Sequence, residues 1–111
     1  MRKLMFILNP NASGFKKFDF KDAIENYLKD KNLDFDYDIK CSTKEGESVF
    51  IAENAVKYGF NELIAVGGDG TINEVGDVAI KNNLKLGVIP AGTGNDYMNS
   101  LNESCNFIIC M

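Results

Sequence analysis

The chain has 111 residues, 45% of them hydrophobic and 25% charged, with a formal net charge of −4 and no histidine. That is the length and balance of one globular domain and excludes two, and the scattered Lys and Arg argue against a nucleic-acid groove built on bulk charge. Without histidine there is no Ser-His-Asp triad, no histidine-ligated zinc and no phosphohistidine relay.

Cys41, Cys105 and Cys110 are an odd set without Cys-x-x-Cys spacing, which reads as reduced, structural cysteines. No apolar run approaches the roughly 20 residues of a membrane helix. The opening Met1-Arg2-Lys3 and Leu4 to Leu8 is too short for a signal segment. The expected location is the cytoplasm.

Hydrophobic periodicity alternates strand and helix. Leu4 to Leu8 is a continuous apolar run ended by Asn9-Pro10, as in a strand buried on both faces. After the loop Asn11 to Gly14, the helical spacing of Phe20, Ala23, Ile24, Tyr27 and Leu28 predicts a helix with Asp19 as its cap. From Asp34 to Lys40 the chain alternates, with Phe35, Tyr37 and Ile39 on one face and Asp34, Asp36 and Asp38 on the other. Such a charged face belongs at a sheet edge.

A second helix is expected over Glu47 to Tyr58, with a stripe of Val49, Ala52 and Val56 and a stop at Gly59. Leu63 to Val66 predicts a short buried strand that breaks at Gly67-Gly68. The next helix is expected to begin near Thr71 and to carry Ile72, Val75, Gly76, Ala79 and Ile80 inward. Leu84 to Ile89 closes with a strand stopped by Pro90, and a last helix is expected to start within Gly94 to Leu101. The alternation implies an α/β fold: a three-layer, mainly parallel open sheet with right-handed crossovers. The apolar ending Asn106 to Met111 reads as that of a fragment.

Ligands of such sheets collect at the carboxyl ends of the strands. Three glycine-rich segments fall there: Asn9-Pro10-Asn11-Ala12-Ser13-Gly14, Gly67-Gly68-Asp69-Gly70-Thr71, and Pro90-Ala91-Gly92-Thr93-Gly94-Asn95-Asp96. Glycines permit positive-φ turns and bare N–H groups, and the helix near Thr71 adds the positive end of its dipole. Thr71-Ile72-Asn73-Glu74 also fits a capping box, so this segment could merely start a helix. Three glycine segments on one edge favour phosphate binding. A carboxylate beside phosphate needs a cation or a proton transfer, so Asp69 reads as magnesium-linked or as a general base. Neither Gly-x-x-x-x-Gly-Lys-Ser/Thr nor Gly-x-Gly-x-x-Gly is present. The acidic metal ligands of a receiver-type phosphoacceptor are replaced by Asn9 and Pro10.

Gly67 to Thr71 with Asn73-Glu74-Val75, together with Pro90 to Asp96 and the first loop Asn9 to Gly14, resembles the diacylglycerol kinase catalytic domain family. Bacterial lipid kinases and sphingosine kinases share that domain. The resemblance runs from about Leu4 to Leu101. The glycine-aspartate motif alone also occurs in NAD kinases and phosphofructokinases; the three loops in this order are far more specific.

The resemblance implies the amino-terminal nucleotide-binding domain of a lipid kinase, with ATP and Mg2+ as cofactors and a diacylglycerol-like lipid at a membrane surface as acceptor. Gly67, Gly68, Asp69, Gly70, Thr71 and Asn73 would hold the ATP phosphates, Gly92, Thr93 and Gly94 would contact the nucleotide, and Asn9 would line the cleft. Thr43 matches a threonine the family uses near the nucleotide. The family usually follows it with glycine, a small or polar residue and alanine, whereas here Gly46 precedes Glu47 and Ser48. Family members are considerably longer, with a β-rich carboxy-terminal domain that completes the lipid pocket, so this chain alone would be inert or nearly so. The alternatives are an NAD-kinase-like phosphotransferase and a non-catalytic nucleotide-binding module.

Overall fold

The computed structural model describes residues 2–9, 21, 22, 24–26, 29, 36–44 and 46–90. Four strands, β1 (Lys3–Leu8), β2 (Asp36–Cys41), β3 (Glu62–Gly67) and β4 (Lys85–Pro90), form one parallel sheet in the order β2-β1-β3-β4. Helix α1 (Glu47–Lys57) links β2 to β3, and α2 (Asp69–Lys81) links β3 to β4. Residues 21, 22, 24–26 and 29 are helical and lie in the β1–β2 connection. The expected parallel α/β sheet is thus present. The predicted last helix and the apolar ending Asn106 to Met111 fall outside the described residues, as do the loop Asn11 to Gly14, Asp34 and Phe35.

The central strands are apolar because both of their faces are covered. On the face under α1 and α2, Met5, Ile7, Leu63 and Ala65 pack with Ala52, Ala55, Val75, Val78 and Ala79. The alternate residues Leu4, Phe6, Leu8, Ile64 and Val66 are buried as well, together with Ile24, Ile39 and Ile89. At the edge, β2 follows its alternation: Asp36 and Asp38 are exposed while Ile39 is buried. The Tyr37 ring meets Phe6 edge-on, 6.1 Å between centroids and 87° between planes.

Burial, with help from Glu25, holds the Tyr37 phenol above its ordinary value. A phenol whose pKa is raised by folding contributes stability that is complete below the unfolded value near pH 10 and is lost as pH rises through the folded one. Tyr37→Phe is therefore expected to remove part of the alkaline destabilisation above pH 10, read as the difference between the two proteins' urea midpoints against pH.

Two helix faces differ from their predicted stripes. In α1 the buried residues are Ser48, Ala52 and Ala55, and Val49 and Val56 flank them half-buried. Small side chains fill the buried stripe, and the valines lie to its sides. In α2 the buried set is Thr71, Val75, Gly76, Val78 and Ala79, whereas Ile80, expected inward, is 79% exposed. One helical step past Ala79 turns Ile80 by about 100° out of the contact stripe, and Val78 takes the inner place. The helix ends through Asn82, whose Nδ2 donates to the Val78 carbonyl at 2.8 Å, and Asn83, in the left-handed region at φ 56°.

At the amino ends of the strands lies a pair the local pattern does not reveal. Glu62 is buried, and Arg2 donates to it through Nε and Nη2, each at 2.8 Å. A fork of two parallel bonds satisfies a carboxylate placed at the start of a central strand. Glu62 in turn holds the Arg2 guanidinium above its ordinary pKa.

Candidate functional site

The strand order places a topological switch point between β1 and β3. From β1 the chain leaves to one side, to β2, and then returns across β1 to β3 on the other. A crevice opens where the two connections diverge, at the carboxyl ends. Backbone bonds extend the sheet just beyond the strands there: Asn9 N–H donates to the Val66 carbonyl at 3.0 Å, and Ser42 N–H donates to the Leu8 carbonyl at 2.8 Å. These bonds fix the start of the first loop and the residue before Thr43.

The glycine-aspartate segment is the junction of β3 and α2 itself. Gly67 is the last residue of β3, Gly68 is the helix N-cap, and Asp69, Gly70 and Thr71 form the first helical turn. This corrects two expectations. Thr71 is not a capping residue, because the helix begins two positions before it and has no side-chain cap bond. The glycines are not needed for positive φ either: among the described residues only Gly46, Gly59 and Asn83 have it, and Gly68 is extended at φ −91°, ψ −169°.

Close packing explains Gly67. A Cβ placed there would lie 3.1 Å from Thr71 Oγ1, 3.3 Å from Thr71 Cβ and 3.4 Å from Asn9 Cβ. Gly70 is the opposite case, since a Cβ there meets nothing within 4 Å. One glycine lets β1, β3 and α2 converge, and the other leaves the helix mouth bare.

The converging residues enclose a cleft of 240 Å3, lined by Asn9, Ser42, Thr43, Lys44, Ser48, Gly70, Thr71 and Glu74. Thr71 is buried, and Asn9 Nδ2 donates to its Oγ1 at 3.4 Å, joining the end of β1 to the start of α2. The first i→i−4 bond of α2 runs from Ile72 N–H to the Gly68 carbonyl at 3.1 Å. The N–H groups of Asp69, Gly70 and Thr71 therefore precede the helical ladder, and with the helix dipole they form a donor set suited to an anion.

Of the residues predicted from sequence, Asn9, Thr43, Gly70 and Thr71 come together in this cleft. Gly67 and Gly68 build the junction behind it. Asp69 and Asn73 are exposed on α2 and are not among the lining residues. Gly92, Thr93 and Gly94 lie outside the described residues. Sequence reasoning missed Ser42, Lys44, Ser48 and Glu74. Ser42 and Lys44 flank the predicted Thr43, which is the available signal; Glu74 stands in the Asn73-Glu74-Val75 motif and in the alternative of a capping box, which does not form. A larger groove of 470 Å3 runs between β2 and α1 past Phe50, Ile51 and Tyr58. Its apolar wall lacks the donor set of the strand ends.

Residues 3–108 match the diacylglycerol kinase catalytic domain. The chain belongs to that family. It is 38% identical over 104 residues to a diacylglycerol kinase of Staphylococcus haemolyticus, covering 91% of this chain and 31% of that protein. A diacylglycerol kinase of Staphylococcus aureus is 37% identical over 105 residues, covering 91% of this chain and 32% of its own length. Among solved structures, a diacylglycerol kinase from Bacillus anthracis superposes with a TM-score of 0.63 at 26% identity, covering 86% of this chain and 35% of that one. The chain spans about a third of the length of the curated relatives it matches. Kinase membership agrees with the sequence-based expectation, and no helix among the described residues is long and apolar enough to cross a membrane.

Proposed function

We propose that this chain is the ATP-holding, amino-terminal part of a lipid kinase that phosphorylates a diacylglycerol-like hydroxyl at a membrane surface. The observation that carries the reading is the meeting of Asn9, Thr43, Gly70 and Thr71 in one cleft at the mouth of α2, in a chain of this family. The N–H groups of the first helical turn donate to phosphate oxygens, and Gly70 lets those oxygens approach the backbone. Asn9 holds Thr71 in place through its side-chain amide. Thr43, Asn73 and Thr93 add side-chain contacts to the nucleotide.

Phosphoryl transfer needs positioning and charge neutralisation more than covalent chemistry, which suits such a site. Magnesium commonly takes one or two carboxylates plus the phosphates themselves. Among the described residues no three His, Cys, Asp or Glu side chains form a group able to hold a metal. Asp69, exposed beside the donor set, fits an ion that it shares with the phosphates and equally fits a base toward the acceptor hydroxyl. The ion would offset phosphate charge during transfer. The lipid-binding parts belong to the rest of the length that the relatives possess, and the 111-residue chain alone is expected to bind ATP without appreciable transfer.

Calorimetric titration of the chain with ATP, with and without magnesium, tests the reading. Saturable binding is expected, weakened about tenfold or more by Gly70→Leu, because a bulky side chain at the helix mouth blocks the phosphates. Folding should survive that change, since the added Cβ has open space. A folded wild-type chain that binds no ATP would refute the assignment. For the intact gene product, transfer to diacylglycerol rather than to NAD separates a lipid kinase from an NAD-kinase-like enzyme.

A further inference from the structure

Thr43, on the wall of the cleft, is held by a carboxylate that does not line it. Thr43 N–H donates to Glu47 Oε1 at 2.8 Å, and the Thr43 hydroxyl donates to the same carboxylate, 3.2 Å from Oε1 and 3.3 Å from Oε2. In return Glu47 N–H donates to the Lys44 carbonyl at 3.3 Å. Glu47 is the first residue of α1, and its N-cap, Gly46, lies in the left-handed region at φ 84° and supplies no side-chain cap. The turn from β2 into α1 is thus tied across its mouth by the Glu47 side chain.

The two Thr43 contacts differ in strength. The amide bond is short and charge-assisted, whereas the hydroxyl is shared between two oxygens at distances where such bonds are weak. A hydroxyl proton rotates freely. It can turn to an acceptor in the cleft while the amide stays on Glu47 and Oγ1 keeps its place.

We infer that Glu47, which does not itself line the cleft, is a positioning residue for nucleotide binding, acting through Thr43. The inference rests on the reading that this cleft holds the nucleotide. Glu47 fixes the Thr43 backbone, presents its Oγ1 to the ligand and yields only the hydroxyl proton on binding.

The test is an ATP titration of the 111-residue chain carrying Glu47→Ala, Glu47→Gln, Thr43→Val or the Thr43→Val/Glu47→Ala pair. Glu47→Ala and Thr43→Val are each expected to weaken binding about tenfold, the order lost with a hydrogen bond to a charged group. The pair should bind no more weakly than the weaker single variant, because both changes remove one device. Glu47→Gln, whose amide oxygen still accepts the Thr43 N–H, should bind within about twofold of wild type. If Glu47→Ala does not fold, Glu47→Met replaces it, being a good helix former of similar length without the acceptor. Additive losses in the pair, or unchanged or tighter binding by the Glu47→Ala or Glu47→Met chain, would overturn the inference and leave the nucleotide reading standing. No ATP binding by the folded wild type would remove both.

Discussion

Gly67→Val is expected to lower stability by roughly 2–3 kcal/mol and to abolish detectable ATP binding, the former measured by urea unfolding and the latter by calorimetry. The cause is overpacking at one point. The new Cβ alone would stand 3.1 Å from Thr71 Oγ1 and 3.3 Å from Thr71 Cβ, with Asn9 Cβ at 3.4 Å, and valine adds two methyl groups to that contact. Backbone strain does not enter, because Gly67 is an ordinary strand residue without positive φ. Relief requires α2 to back away from β3, which parts Asn9 from Thr71 and opens the cleft they line. Against a total of about 5–15 kcal/mol for a domain of this size, the loss is large.

Gly70 supplies the internal control. It sits three residues on, in the first turn of α2, with open space where a Cβ would go. Gly70→Ala should leave stability unchanged or raise it by up to about 1 kcal/mol through helix propensity. Gly67→Ala should lower it, since its neighbours must give by a few tenths of an ångström. Two glycines of one motif moving in opposite directions would show that packing, not a shared loop conformation, accounts for Gly67. Equal effects would contradict the geometry.

The legible parts of the fold were those written in short-range pattern. Continuous apolar runs marked β1 and β3 as central, and the aspartates of β2 marked an edge, because burial on two faces or one leaves a period that can be counted. The meeting of Asn9, Thr43, Gly70 and Thr71 at the carboxyl edge was legible because strand direction in parallel α/β sheets puts the strand ends on one side. What escaped depends on contacts between distant residues or on small helical rotations. Arg2 and Glu62 meet only through the β1–β3 register, which sets Leu4 beside Glu62. Ile80 has the composition of a core residue but lies one step past the stripe. The alternative of a capping box at Thr71 fails because Gly68 starts the helix with no side-chain cap, a start that no local polar residue announces. Glu47 reads in sequence only as the start of a helix; its hydrogen bonds to Thr43 depend on how the turn between them closes.

Asp69→Asn should separate binding from chemistry. Asp69 is the first residue of α2, exposed, and next to the N–H groups proposed to take phosphate. Its charge favours the helix by about 0.3–1 kcal/mol, and the isosteric amide forfeits that amount while keeping the shape. The same charge opposes a triphosphate, so the Asn variant of this chain should bind magnesium-free ATP a few-fold more tightly, most visibly at low salt. In the intact gene product, transfer to lipid should fall about 10²–10⁴-fold, the range for losing a group that handles a proton or its equivalent in charge.

The magnesium dependence then distinguishes the two roles open to this carboxylate. If Asp69 shares the ion with the phosphates, magnesium should strengthen ATP binding more in the wild type than in the variant. If it is the base, the two should gain equally from magnesium while only the wild type transfers. Undiminished transfer by the Asp69→Asn protein would exclude both roles. Asp69 would then act only as the acidic first-turn residue of α2, and the chemistry would have to come from carboxylates elsewhere in the intact kinase.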